Sequence, residues 1–151
     1  MQVAMVTPYF FPILGGLENH VLEISIELQR KGHRVDVLTV ASDRQGGRLP
    51  CDETVSGLRV KRFRSLLGAG NFARFWPGVL FHLLKVRYGV IHVHNYGHPH
   101  CDLANLAAKL TGTPLVITCH APWYYDKLRS RANMLWRRFY DATLGKAVLS
   151  N

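Results

Sequence analysis

The chain predicts an open, doubly wound α/β sheet, mostly parallel, with helices on both faces. Three observations carry this reading. A short apolar run, Val3-Ala4-Met5-Val6, is followed by a proline-bounded loop, a glycine pair and a strongly periodic helix. That helix leads into a second apolar strand, and the resulting β-α-β unit builds parallel sheets with right-handed crossovers. Beyond it, strand-like and helix-like segments keep alternating, as in an α/β fold.

Taken in order, residues 2–7 read as a buried first strand, short, apolar and ended by Pro8. In the helix behind Gly15-Gly16, Leu17, Val21, Ile24 and Leu28 form one stripe, widened by Leu22, Ser25 and Ile26. Glu18 suits the positive end of its dipole, Arg30 and Lys31 suit the other end, and Gly32 is placed to stop it as C′. Residues 34–40 are a second strand. Residues 41–53, polar and glycine-bearing, read as loop, and residues 57–63 alternate apolar and basic like a half-exposed strand. A turn at 68–71 precedes a helix over 72–88, interrupted near Pro77. Residues 90–94 are a fourth strand, 101–110 a helix ended near Gly112, and 115–118 a fifth strand running into Cys119-His120-Ala121-Pro122. Residues 130–144 read as helix and 147–150 as a last strand.

At 151 residues, nearly half of them apolar, the chain is long enough for one domain with a real core. No apolar run reaches the roughly 18–20 residues of a membrane span, and no basic region precedes an apolar stretch as in a signal peptide. Three cysteines, Cys51, Cys101 and Cys119, have no metal-ligand spacing and read as reduced thiols of a cytoplasmic protein. The formal charge of +9 fits nucleic acid, an anionic membrane surface or a polyanionic substrate without choosing among them.

In such sheets ligands bind beyond the carboxyl ends of the strands. Three groups lie there: the Gly15-Gly16 loop, the segment from Asn95 to His100, and His120. The glycine pair at a helix start makes an anion site, with free N–H groups pointing at the ligand; a tight turn without a ligand is the alternative. It is neither a G-x-G-x-x-G fingerprint nor a P-loop, which argues against a nicotinamide-linked oxidoreductase. His92, His94, His98 and His100, beside Cys101 and Asp102, suggest a metal site, but their spacing matches no zinc pattern. Polar contact with a sugar or phosphate ranks above metal. His120 is either a satisfied buried histidine or a ligand contact. Two segments, 72–87 and 123–140, mix aromatic and arginine residues. Each reads as a core face with a solvated basic face, or as an interfacial membrane contact. No nucleic-acid-binding motif accompanies the charge.

The run Pro8-Tyr9-Phe10-Phe11-Pro12-Ile13-Leu14-Gly15-Gly16-Leu17-Glu18-Asn19-His20-Val21, with Leu28 and Lys31-Gly32-His33-Arg34-Val35-Asp36-Val37-Leu38-Thr39, resembles the opening of family 4 retaining glycosyltransferases. Val90-Ile91-His92-Val93-His94 and Val116-Ile117-Thr118-Cys119-His120 are similar to later landmarks of that family, and the phosphatidylinositol glycan-type transferases resemble the first block most. The resemblance implies one Rossmann-like half of a two-domain GT-B fold, with a nucleotide-sugar donor as substrate, a lipid or glycan acceptor, and no metal or other cofactor. It assigns Gly15 and Gly16 to the donor diphosphate, His120 to catalysis beside the transferring sugar, and Tyr9, His94 and Asn95 to acceptor or sugar contacts. It also implies that residues 1–151 are the acceptor-side N-terminal domain, incomplete at its C-terminus. The C-terminal donor domain, with its E-x7-E motif, is absent and would be supplied in cis or trans. Hexosyl transfer follows from the same resemblance; a peripheral contact with anionic lipid, at the cytoplasmic face of a membrane, is what the aromatic and basic segments 72–87 and 123–140 would supply. A non-catalytic module binding an acceptor, a membrane surface or a protein partner is the competing reading; nucleic acid is not expected as a partner.

Overall fold

The computed structural model describes residues 1–67, 74–120 and 138–149. It forms a six-stranded sheet in the order β3-β4-β2-β1-β5-β6. The strands are β1 (Gln2–Val6), β2 (Arg34–Val40), β3 (Asp52–Val55), β4 (Leu58–Phe63), β5 (Val90–His94) and β6 (Leu115–Thr118). All neighbours pair in parallel except β3, which runs antiparallel to β4 at the edge. The helices are α1 (Gly16–Arg30), α2 (Gly78–Lys85) and α3 (Pro99–Thr111).

Successive side chains of a strand point to opposite faces, and both faces here are covered. Ala4, Val6, Leu38, Val40, Ile91 and Val93 pack under α2 and α3 with Trp76, Val79, Leu83, Ala104 and Ala107. Val3, Met5, Val35, Val37, Leu58 and Val60 pack on the other side with Val21 of α1. The doubly wound parallel sheet expected from the sequence is present. α1 ends as its sequence requires: Gly32 takes φ +82, its N–H bonds the Gln29 carbonyl and the His33 N–H bonds the Leu28 carbonyl. This is a Schellman closure, favoured by a residue without Cβ.

Three expectations need correction. The loop expected over 41–53 ends early, because Asp52 and Glu53 open β3. The strand is polar because it lies at the sheet edge, where Asp52 pairs with Lys61 at 3.0 Å and Glu53 with the buried Arg62. Its turn is the two-residue Ser56-Gly57, both at positive φ, a hairpin geometry that glycine favours. The helix expected over 72–88 starts at Gly78 and ends at Lys85. Pro77 biases Trp76 away from helical backbone, and Trp76 enters the core instead. The strand expected over 147–150 is helical where described: α4 (Lys146–Leu149) follows residues 138–140 and a π-helical segment, Asp141–Gly145. So short an apolar run carries no distinguishing period, and Val148 is buried against the α3 side of the sheet. The expected turn at 68–71, residues 72–73, and residues 130–137 of the expected last helix lie outside the described residues.

Candidate active site

β1 is central, with α1 leading to β2 on one side and β5 on the other. This change of direction opens a crevice beyond the carboxyl ends of β1 and β5, the usual ligand position in such sheets. The loop after β1 is anchored there. Thr7 Oγ1 donates to the Tyr9 carbonyl at 3.0 Å, and Arg62 donates to the Phe11 carbonyl and to the Pro50 carbonyl. α1 then starts at the floor of the crevice.

The two glycines differ. A Cβ on Gly15 would lie 2.5 Å from Glu18 Oε2, so a side chain there would displace that carboxylate. A Cβ on Gly16 would meet nothing within 4 Å. Gly16 therefore borders open space at the first turn of α1. Glu18 is only 4% exposed and pairs with the half-exposed Arg44 at 2.9 Å. Arg44 and Arg74 both reach over the Tyr9 ring, at 5.7 and 5.9 Å from its centroid. Tyr9 is buried, so it shapes the wall beneath these two guanidinium groups.

The strand period also sorts the histidines. His92 pairs with Met5, so His92 and His94 project to the α1 face. Thr118 pairs with His94, and His120 continues that face two residues later. His94 Nδ1 and His120 Nε2 lie 2.9 Å apart, and His92 Nε2 lies 2.8 Å from Thr118 Oγ1. The rings of His92 and His94 stack, as do those of His94 and His120. His20, one turn into α1, sits edge-on to His120 with centroids 4.9 Å apart. Asn95 turns the chain away at φ +72 while its N–H bonds the Thr118 carbonyl at 2.9 Å.

His98 and His100 are elsewhere. His100 stacks on Trp76 and on His98, and its Nε2–H donates to the His94 carbonyl at 3.0 Å. The run of four histidines is therefore divided between the two sides of the sheet. Burial lowers His94 to about 3, and neighbouring imidazoles add to this. Burial also lowers His92 and His120; for His120 the neighbouring His20 adds to the effect and the Glu18 carboxylate opposes it. The face presented by β5 and β6 is thus one of neutral imidazoles.

His94 and His120 thus stand together beyond the strand ends with His20 of α1, Gly16 opens the same helix, and Asn95 turns the chain away beside them. His20 and the Glu18–Arg44 pair do not stand out in the sequence as site residues. A polar pair within two turns of a glycine-led helix start is the available signal. Of the mixed aromatic and basic segments, α2 buries Val79 and Leu83 and exposes Phe81 and Leu84; residues 72–73 and 123–137 lie outside the described residues. Among the described residues no helix is long and apolar enough to cross a membrane.

The chain resembles known proteins over the same elements. It is 29% identical to a phosphatidyl-myo-inositol mannosyltransferase of Mycolicibacterium smegmatis, covering 100% of this chain and 39% of that protein. It is 31% identical to a phosphatidylinositol N-acetylglucosaminyltransferase component of Arabidopsis thaliana, covering 80% of this chain and 28% of that protein. The chain thus spans well under half the length of these curated relatives. The catalytic domain of starch synthase IV from Arabidopsis thaliana superposes with a TM-score of 0.56 at 20% identity, over 78% of this chain and 33% of that one. That likeness bears on fold, and it agrees with one Rossmann-like half of a GT-B architecture. Residues 14–149 match the family described as Glycosyltransferase Family 4, and the chain belongs to that family.

Proposed function

We propose that this chain is the acceptor-side part of a retaining hexosyltransferase that moves a sugar from a nucleotide-sugar donor to a lipid acceptor and is completed by a C-terminal domain in cis or trans. The observation that supports the reading is the His94–His120 pair beyond the ends of β5 and β6, beside His20 on the helix that Gly16 opens. The printed names of the two relatives share phosphatidylinositol and differ in the sugar, mannose or N-acetylglucosamine. Phosphatidylinositol is therefore the first acceptor to test. Exposed Phe81 and Leu84 beside Lys85 and Arg87 support a peripheral contact with an anionic bilayer, at its cytoplasmic face.

In the transfer, the bond from the anomeric carbon to the donor phosphate breaks and its electron pair leaves with the diphosphate. The acceptor hydroxyl oxygen bonds that carbon from the face the diphosphate leaves, which retains the configuration, and its proton passes to the departing diphosphate oxygen. The charge that must be stabilised grows on the departing diphosphate. Free N–H groups of the first turn of α1, open at Gly16, are preorganised for it. Arg44 offsets the Glu18 carboxylate, which would otherwise repel an anion there. His120, with Nε2 engaged by His94, has Nδ1 left for a sugar hydroxyl. No step needs a metal or other cofactor.

The reading is tested by co-expressing the chain with the C-terminal domain of the mycobacterial relative and assaying sugar transfer to phosphatidylinositol in vesicles. Transfer by the pair, and by neither half alone, is the expected result. Absence of transfer to any lipid or glycan acceptor, from a pair shown to associate, contradicts it.

A further inference from the structure

One ring nitrogen from each of His20, His94 and His120 lies within 4.8 Å of the other two. The three come from different elements: the first turns of α1, the last residue of β5, and the segment just past β6. We infer that these three side chains form a binding site for a divalent transition-metal ion of the zinc class.

The donor set fits such an ion. Three imidazoles with an open fourth position make a recognised tetrahedral zinc arrangement. Imidazole nitrogen suits zinc, copper, nickel and cobalt, whereas magnesium and calcium prefer oxygen. Metal ligation uses one unprotonated ring nitrogen from each imidazole. His94 is fully buried, and its Nε2 has no hydrogen-bond partner among the described residues. That nitrogen can hold the ring proton while Nδ1 gives its lone pair to an ion. No proton then has to leave the His94–His120 pair; the tautomers shift.

The geometry needs only small adjustment. A tetrahedral ion with bonds of about 2.0–2.1 Å holds its nitrogens roughly 3.3–3.4 Å apart. The His94–His120 pair, at 2.9 Å, opens by a few tenths of an ångström. His20, half-buried on the surface of α1, approaches by side-chain rotation. The ion replaces the hydrogen bond that joins His94 to His120 and leaves His120 Nδ1 outside its donor set, so it is a bound ligand and not a cofactor of the proposed transfer. This consequence rests on the proposed transfer reaction; binding itself does not.

The test uses the tag-free 151-residue chain and titrates Zn2+ by calorimetry, with Mg2+ in parallel. Co2+ is added separately to read the visible absorption of a tetrahedral site. One Zn2+ per chain, no Mg2+ binding and a tetrahedral Co2+ spectrum are expected. His20→Ala and His120→Ala should each weaken Zn2+ by at least about tenfold, the smaller loss found even for outer-shell changes. His33→Gln, at the far end of α1, should bind as the unaltered chain does. His94→Gln is the third ligand variant; should it unfold, the two half-buried positions still decide. Zn2+ binding that is absent, or equal in His20→Ala, His120→Ala and the unaltered chain, overturns the site. Neither outcome bears on whether the reconstituted enzyme transfers sugar.

Discussion

His94 Nδ1 and His120 Nε2, 2.9 Å apart, tie together the ends of two adjacent parallel strands. The ladder reaches His94 and Thr118, and this side-chain bond extends it into the crevice. It fixes which nitrogen of His120 remains for a ligand. His94→Phe keeps a ring of similar size in the stack and removes the bond. A hydrogen bond of this kind is worth about 0.5–1.5 kcal/mol. The expected result in the reconstituted enzyme is a kcat lowered by about tenfold with donor KM little changed, read from steady-state kinetics.

Stability should fall with acid before most carboxylates titrate. Burial holds both His94 and His100 down at about 3 in the folded chain, against about 6.5 when unfolded. A lowered folded value means that the unfolded chain binds more protons between these limits. Stability is then fully present above pH 6.5 and is lost as pH falls toward 3, by up to about 1.4 kcal/mol per pH unit for each group. Urea unfolding at pH 7 and pH 5 checks the slope. His100→Phe should flatten it, whatever its effect at pH 7.

The glycine pair should separate stability from function. Gly15→Ala pushes its Cβ against the Glu18 carboxylate, disturbs the pair with Arg44 and costs about 1–2 kcal/mol. Gly16→Ala meets no atom within 4 Å, and it should leave stability unchanged or raise it by up to about 1 kcal/mol. Donor KM should nevertheless rise for Gly16→Ala, because the methyl group occupies the space facing the diphosphate. Thermal melts and donor titrations on the same two variants check this.

A polar network at the opposite edge of the sheet supplies a control. Buried Asp36 accepts from Tyr88 at 2.8 Å, Arg59 at 2.8 Å and Gln2 at 2.9 Å. Tyr88→Phe removes one donor and leaves two. It should cost about 1–2 kcal/mol in chemical unfolding and leave transfer unchanged, since the amino ends of the strands lie away from the crevice.

Much of the fold is legible because α1 carries an unambiguous period and the buried strands are short apolar runs bounded by turn residues. The stripe Leu17, Val21, Ile24, Leu28 admits one reading, and Val3-Ala4-Met5-Val6, which has no period of its own, reads as a strand because Pro8 ends it and a glycine-led helix follows. β3 escapes its own pattern because Asp52-Glu53-Thr54-Val55 owes its pairing to Lys61 and Arg62 on the neighbouring strand. Residues 147–149 mislead because three apolar residues in a row fit a strand or a helix equally well. The crevice is legible through position: Gly16, Asn95 and His120 each follow a strand end. His20 and the Glu18–Arg44 pair are not, because the first turns of α1 have first to be brought beside the ends of β5 and β6, and the loop after β2 folded over the start of α1.

The central claim is that transfer takes place at the carboxyl edge of this sheet. The most direct measurement compares kcat/KM of the reconstituted enzyme carrying His120→Ala with that carrying Tyr88→Phe, both shown to bind the C-terminal domain. The account predicts a fall of about 100-fold or more for His120→Ala, the scale of a positioned catalytic group, and a change within about twofold, or 0.4 kcal/mol, for Tyr88→Phe. Equal rates in the two variants, or the larger loss in Tyr88→Phe, would contradict it.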